Sequence, residues 1–177
     1  MFFEFYGQGS LDIGGLPPLT PEGDTSTPIL FDFNGDGIKD IFMWNGSFPP
    51  NGPVDQAPWI FLSDGTDNWV SGESLIDGPF PSINGGRYWE FQDFNGDGQL
   101  DIFIASHGYD ADPFPGHRNT LLLSNENGRL FDASNRLPDL SGFTHGLGAG
   151  DIDNDGDLDL THRQPRDTRR AAVFAYQ

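Results

Sequence analysis

The stretch DFNGDGIKD (Asp32–Asp40) returns as DFNGDGQLD (Asp93–Asp101), and a third version, DIDNDGDLD (Asp151–Asp159), follows. A motif that recurs at regular intervals marks an architecture assembled from copies of one supersecondary unit. The similarity continues outside the loops. Each copy follows a short apolar or aromatic run: Pro28-Ile29-Leu30-Phe31, Tyr88-Trp89-Glu90-Phe91, and Gly146-Leu147-Gly148-Ala149. The first two copies lead directly into a second run, Ile41-Phe42-Met43-Trp44 and Ile102-Phe103-Ile104-Ala105. A Gly/Pro-rich insert comes next. A third run follows it, Trp59-Ile60-Phe61-Leu62 or Thr120-Leu121-Leu122-Leu123, and a fourth segment closes the unit near Trp69 to Leu75 or Leu130 to Ser134.

Short apolar runs bounded by Gly, Asn, Asp and Pro read as strands. The pairs Asn45-Gly46, Asp64-Gly65 and Asn127-Gly128 read as hairpin turns. Each unit is then strand, acidic loop, strand, insert, strand, turn, strand, which is the content of one β-propeller blade. The predicted fold is all-β: about three four-stranded propeller blades, the last incomplete, forming part of a larger or assembled propeller. The boundaries are an N-terminal extension over 1–26, repeat 1 over 27–86, repeat 2 over 87–144, a partial repeat 3 over 145–160 and an atypical basic tail over 161–177.

Composition agrees with this organisation and excludes several functions. The 177 residues include 24 Gly and 14 Pro, as suits a chain with many turns. Net charge is −18, with only 9 basic residues, so a nucleic-acid partner is excluded on electrostatic grounds. Eleven of the 27 acidic side chains fall inside the three loops, a density that repels itself unless a cation sits among them. With no cysteine there is neither a disulfide framework nor thiolate-bound zinc. No run of about 18 apolar residues occurs, so no membrane-spanning helix is expected. The N-terminus MFFEFYGQGS lacks the pattern of a signal peptide.

The three Asp-x-[Asn/Asp]-x-Asp-Gly-x-x-Asp loops, the apolar run after them and Phe143-Thr144-His145-Gly146 before the third resemble the FG-GAP and VCBS repeats of calcium-binding β-propellers, the family that includes the integrin α-subunit head. The resemblance covers roughly residues 27 to 160. It implies calcium sites in the loops between the first two strands of a blade, and a binding or adhesion role.

The chemistry of the loop leads to the same ion. Ca²⁺ takes six to eight oxygen ligands, and alternate positions of a tight loop can aim their oxygens at one point. The expected ligands are Asp32, Asn34, Asp36, the carbonyl of Ile38 and Asp40 in the first loop. In the second they are Asp93, Asn95, Asp97, the carbonyl of Gln99 and Asp101. In the third they are Asp151, Asp153, Asp155, the carbonyl of Asp157 and Asp159. Gly37, Gly98 and Gly156 supply the sharp turn. The seventh residue varies (Ile, Gln, Asp), as suits a position used only through its carbonyl. An EF-hand is excluded, because its twelfth position needs Glu and these loops have Met43, Ile104 and His162 there. Mg²⁺ fits less well, since it retains its waters and demands a stricter octahedron. The alternative is an Asx-rich turn that holds no metal.

Other features are weaker. The insert from His107 to His117 carries His107, Asp110, Asp112 and His117, a candidate second metal or sugar site, set against a proline-braced rim loop with its polar residues in water. Trp44, Trp59, Trp69 and Trp89 lie in strand patterns and read as core rather than sugar platforms. His145 is expected to hydrogen-bond to a neighbouring strand. No nucleophile elbow or phosphate loop is present.

The third unit departs from the pattern. No apolar run follows its loop, and Arg163, Arg166, Arg169 and Arg170 come instead, leaving occupancy of the third site open. Three blades do not close a ring that typically has four to eight. The ring is then completed by a longer parent chain, by self-assembly or a partner chain, or by strands supplied from the aromatic segment Phe2 to Leu19. The functional expectation is a calcium-binding, noncatalytic scaffold that presents its inserts to a protein or glycan partner. Its location would be extracellular, cell-surface or periplasmic, where sites with dissociation constants of about 10⁻⁴ to 10⁻³ M fill. The alternative is the propeller portion of a polysaccharide lyase or hydrolase acting through His107, Tyr109, Asp110 and His117.

Overall fold

A computed structural model describes residues 24–25, 29–43, 45–46, 58–66, 68–109, 111–152, 154, 159–163 and 171–175. These form β1 (Asp24–Thr25), β2 (Ile29–Phe31), β3 (Asp40–Met43), β4 (Asn45–Gly46), β5 (Trp59–Ser63), β6 (Trp69–Ser71) and β7 (Ile76–Asp77) in the first unit. The second unit has β8 (Gly86–Gln92), β9 (Asp101–Ser106), β10 (His117–Arg118), β11 (Thr120–Ser124), β12 (Leu130–Asp132) and β13 (Ser141–Gly142). The third has β14 (Gly146–Gly150), β15 (Asp159–Arg163) and β16 (Ala171–Ala175). Single 3₁₀ turns follow β6 and β12. The chain is all-β, as its turn-rich sequence predicts.

The first sheet is an antiparallel meander in the order β2-β3-β5-β6, and the second repeats it as β8-β9-β11-β12. The second gains a fifth strand, because β7 pairs with β12 in parallel, Ile76 opposite Leu130. Arg129 Nη2 donates to the Ile76 carbonyl at 2.9 Å on the same edge. The repeat boundary at residue 86 therefore does not separate the sheets: the last strand of unit one closes the blade of unit two.

The sheets stack face to face. Successive side chains of a strand point to opposite faces, and β9 and β11 are buried at every position. Their two faces pack different neighbours. Ile102, Ile104 and Leu122 join Phe42 and Ile60 of the first sheet. Phe103, Ala105, Leu121 and Leu123 join Leu160 of the third, with Leu147 and Ala149 packed alongside. A strand covered on both sides needs apolar residues throughout, which is why these runs are continuous rather than alternating.

Two sequence expectations are corrected. Asn45-Gly46 is not a hairpin turn; it is β4, paired with β1. β3 and β5 are joined through a long insert, so no two-residue reversal is required between them. The third unit also does not stop at its loop. β15 follows it and pairs with β14 and β16, so the segment read as a basic tail contributes strand residues at 161–163 and 171–175. The missing apolar run has a physical cause. Leu160 is buried against the second sheet, while the hydroxyl of its neighbour Thr161 donates to the Gly148 carbonyl at 3.2 Å. Among the described residues, the three sheets do not form a closed ring. Phe2 to Leu19, Trp44, and Arg166, Arg169 and Arg170 lie outside the described residues.

Candidate metal centre

The first two acidic loops share most of their internal hydrogen bonds; Asp32 Oδ1 also accepts from the Gly35 amide at 2.8 Å. Asp32 Oδ1 accepts from the Asp36 amide at 3.1 Å and Oδ2 from the Gly37 amide at 2.8 Å. Asp93 does the same with Asp97 at 3.1 Å and Gly98 at 2.7 Å. Asn34 Oδ1 takes the Asp36 amide at 3.0 Å, and Asn95 Oδ1 takes that of Asp97 at 2.9 Å. Asp36 and Asp97 in turn accept from the amides of Ile38 and Gln99, at 2.7 and 2.8 Å. Such Asx bonds form because a short carboxylate or amide side chain reaches the backbone two to five residues on. They need the chain to reverse tightly, and Gly37 and Gly98 do so at φ +86° and +82°.

Positions one, three and five are thereby drawn together. Asn34 Nδ2 donates to Asp36 Oδ2 at 2.9 Å, and Asn95 Nδ2 to Asp97 Oδ2 at 3.0 Å. No described cation forms an ion pair with Asp32, Asp36, Asp93 or Asp97. Like charge does act within the loop: burial pushes the Asp101 carboxyl above its ordinary value, and the negative charge of Asp97 adds to that rise, against the amides of Ser124 and Phe94. The donor set is oxygen alone, which fits a hard divalent cation.

The ninth residue is placed differently, and among the described residues no three acidic or histidine side chains are grouped so as to hold a metal ion. Asp40 and Asp101 are fully buried, and Asp159 is 2% exposed. Asp40 accepts from the amides of Phe33 at 2.8 Å and Ser63 at 2.9 Å. Asp101 accepts from those of Phe94 and Ser124, both at 2.8 Å.

In the third loop Asp153, Asp155, Gly156 and Asp157 lie outside the described residues. Its frame is visible nonetheless. The Ile152 amide donates to Asp159 Oδ2 at 2.9 Å, as Phe33 and Phe94 do to their aspartates. Asn154 has φ +62°, matching Gly35 at +75° and Gly96 at +73° in the same loop position. Asn is the residue after Gly that most readily takes this conformation.

The His107–His117 insert is exposed at Asp112, Pro113 and Pro115 but buries its first histidine. His107 is 1% exposed, its ring 4.3 Å from that of Phe143 and 4.4 Å from that of His145. His117 is half-buried in β10, which pairs with β13, and its Nδ1 faces the Arg118 carbonyl. Asp112 is exposed, and Asp110 lies outside the described residues. Asn119, which sequence reasoning passed over, ties the region together. Its Oδ1 accepts from the Ser106 amide at 2.9 Å and from Thr144 Oγ1 at 3.1 Å. Trp59 and Trp69 pack with Met43 and Phe61 on the outer face of the first sheet, and Trp89 packs on Phe42. None of these three stands free as a sugar platform.

Face-stacked sheets of four, five and three strands, each with an acidic loop between the first two strands of its meander, define a repeat protein of the propeller-blade class. The family model described as FG-GAP-like repeat matches residues 32–104 and again 93–161, and the chain belongs to that family. Both matches begin at the first aspartate of an acidic loop. Comparisons with curated proteins and with solved structures return no match.

Proposed function

We propose that this FG-GAP-like repeat module is a calcium-stabilised scaffold that presents its inserts to a protein or glycan partner outside the cytosol. The observation that carries it is the hydrogen-bonded set Asp32, Asn34 and Asp36, whose bonds to one another recur in Asp93, Asn95 and Asp97. Calcium would be held by these side chains, the carbonyls of Ile38 and Gln99, and the lone pairs that Asp40 and Asp101 do not give to the backbone. Asp151, Asp153, Asp155, Asp159 and the carbonyl of Asp157 form the third set. The ion's role is to neutralise the loop and to join the strands that flank it. No helix among the described residues is long and apolar enough to cross a membrane. The extracellular location is supported by the weak affinity that open loops of this kind have for calcium.

The burial of His107 and the pairing of His117 in β10 favour the scaffold over a hydrolase or lyase centred on this insert, because a buried, ring-packed imidazole has no access to a polysaccharide. The test is thermal unfolding in millimolar calcium and in excess chelator, with a metal count on the purified protein. A ligand at about a hundred times its dissociation constant stabilises the fold by about 2.7 kcal/mol per site. The expected result is a higher melting temperature in calcium and three bound ions per chain. No shift and no bound calcium would overturn the reading.

A further inference from the structure

We infer that the ninth aspartate of each loop, Asp40, Asp101 and Asp159, is a positioning residue that latches the acidic loop to the blade whether or not a cation is bound. The ninth position differs from the other loop aspartates in three respects. The first is burial. Asp40, Asp101 and Asp159 are inside the protein, whereas Asp36, Asp97 and Asp151 are exposed and Asp32 and Asp93 half-exposed. The second is reach. The carboxylates of Asp32, Asn34's partner Asp36, Asp93 and Asp97 bond within their own loop. Those of Asp40 and Asp101 each join two distant segments: the loop entrance at Phe33 or Phe94, and the end of the third strand at Ser63 or Ser124, 23 residues further on. The third is recurrence. The entrance bond is present in all three units, including the third at Ile152.

The hairpin on the far side of the latch is fitted to the loop as well. Ser63 Oγ accepts from the Gly65 amide at 3.1 Å, and a Cβ added at Gly65 would lie 3.1 Å from Ile38 Cδ1. In the second unit Ser124 Oγ donates to the Leu100 carbonyl. Acidic loop and hairpin therefore form one structure, with the ninth carboxylate bonded to both.

A buried carboxylate is costly unless its hydrogen bonds are made. Here each described oxygen of Asp40 and Asp101 takes one backbone amide, so the cost is offset by satisfying two buried N–H groups at once. Asparagine cannot replace it: one of its two terminal atoms is a donor and would face an amide N–H. The seventh loop position varies freely among the three copies, and the ninth does not. The latch needs no cation; only its contrast with positions one, three and five rests on the calcium reading above.

The test compares the full chain in chelator, where calcium contributes nothing. Asp101→Asn is expected to lower the melting temperature there by roughly 5 °C or more, while Asp97→Asn leaves it within about 2 °C of wild type and loses only part of the calcium response. Hydrogen exchange on wild type in chelator provides the second readout. The amides of Phe94 and Ser124 should exchange roughly a hundredfold more slowly than those of Gly98 and Gln99, which bond to the exposed loop aspartates. If Asp101→Asn does not fold, this exchange measurement on wild type decides. The inference is overturned if Asp101→Asn melts with wild type in chelator, or if chelation brings Phe94 and Ser124 to the exchange rate of Gly98 and Gln99. Should wild type show no calcium response while Asp101→Asn remains destabilised, the calcium reading fails and the latch stands.

Discussion

The ring of Phe42 meets that of Trp89 edge-on, centroids 5.0 Å apart and planes at 75°. Phe42 is the third residue of β3, and Trp89 sits in β8, so this contact joins the first blade to the second. Phe91 and Phe33 complete the seam, each within 6.0 Å of Phe42.

Truncating Phe42 should loosen the stack rather than one sheet. It is fully buried, and Phe→Ala in a core costs about 3–5 kcal/mol through lost transfer energy and the cavity left behind. At about 2–4 °C per kcal/mol for a chain of this size, Phe42→Ala should melt roughly 10 °C lower than wild type. Val70→Ala, at a position 59% exposed in the same sheet, should change the melting temperature by no more than a degree or two. Calorimetry or circular dichroism checks both.

The insert of the second unit depends on backbone approaching backbone. Gly108 has φ +76°, and a Cβ there would lie 2.4 Å from Gly116 C and 2.6 Å from its oxygen. Neither atom can move without displacing the chain. Gly108→Ala should therefore cost on the order of 3 kcal/mol or more. Gly96→Ala is the control. Its φ is similar at +73°, but nothing lies within 4 Å of the added carbon. It should cost only the left-handed conformation itself, about 1–2 kcal/mol. Equal losses in denaturant melts would refute the close-packed insert.

Local turn chemistry was legible in the sequence; distant pairing was not. The acidic loops could be read because aspartate, asparagine and glycine at fixed offsets fix a turn by bonds spanning two to five residues. The ninth aspartate's bond to Ser124 spans 23 residues and depends on β-sheet register, which no local pattern encodes. The strands of the second unit were recognisable because both faces are covered and all their residues are apolar. β15 was missed for the converse reason: its sequence, Asp-Leu-Thr-His-Arg, has a single apolar residue, Leu160, which packs against the second sheet. His107 looked solvated because histidines, aspartates and prolines resemble a rim loop. Its burial follows from contacts with Phe143 and His145, outside the insert.

Asn119 bridges β9 to the segment before β14, so its removal should couple two regions. Asn119→Leu leaves the Ser106 amide and the Thr144 hydroxyl without their shared acceptor, and an unsatisfied buried group costs about 1–3 kcal/mol. Thr144→Val removes one of the two donors. In a double-mutant cycle the pair should be less than additive, with a coupling of at least about 0.5 kcal/mol. Strict additivity would mean that Asn119 holds Ser106 alone.

Calcium stoichiometry should fall one ion at a time. Affinity in oxygen sites is tuned by the number of charged ligands, and each loop carries its own set. Asp36→Asn should abolish the first site and leave the second intact, since Asp93, Asn95 and Asp97 bond within their own loop. Asp97→Asn should do the reverse, and the double variant should retain only the third ion. Asp155→Asn tests that third loop, whose frame matches the others at Ile152, Asn154 and Asp159. Native mass spectrometry counts the ions directly. Titration calorimetry should show the remaining sites unchanged in affinity at fixed ionic strength, because exposed charges more than about 8 Å apart are largely screened at physiological salt. If one substitution removed all the ions together, the loops would share a single cooperative site, and the picture of independent staples, one per blade, would have to be abandoned.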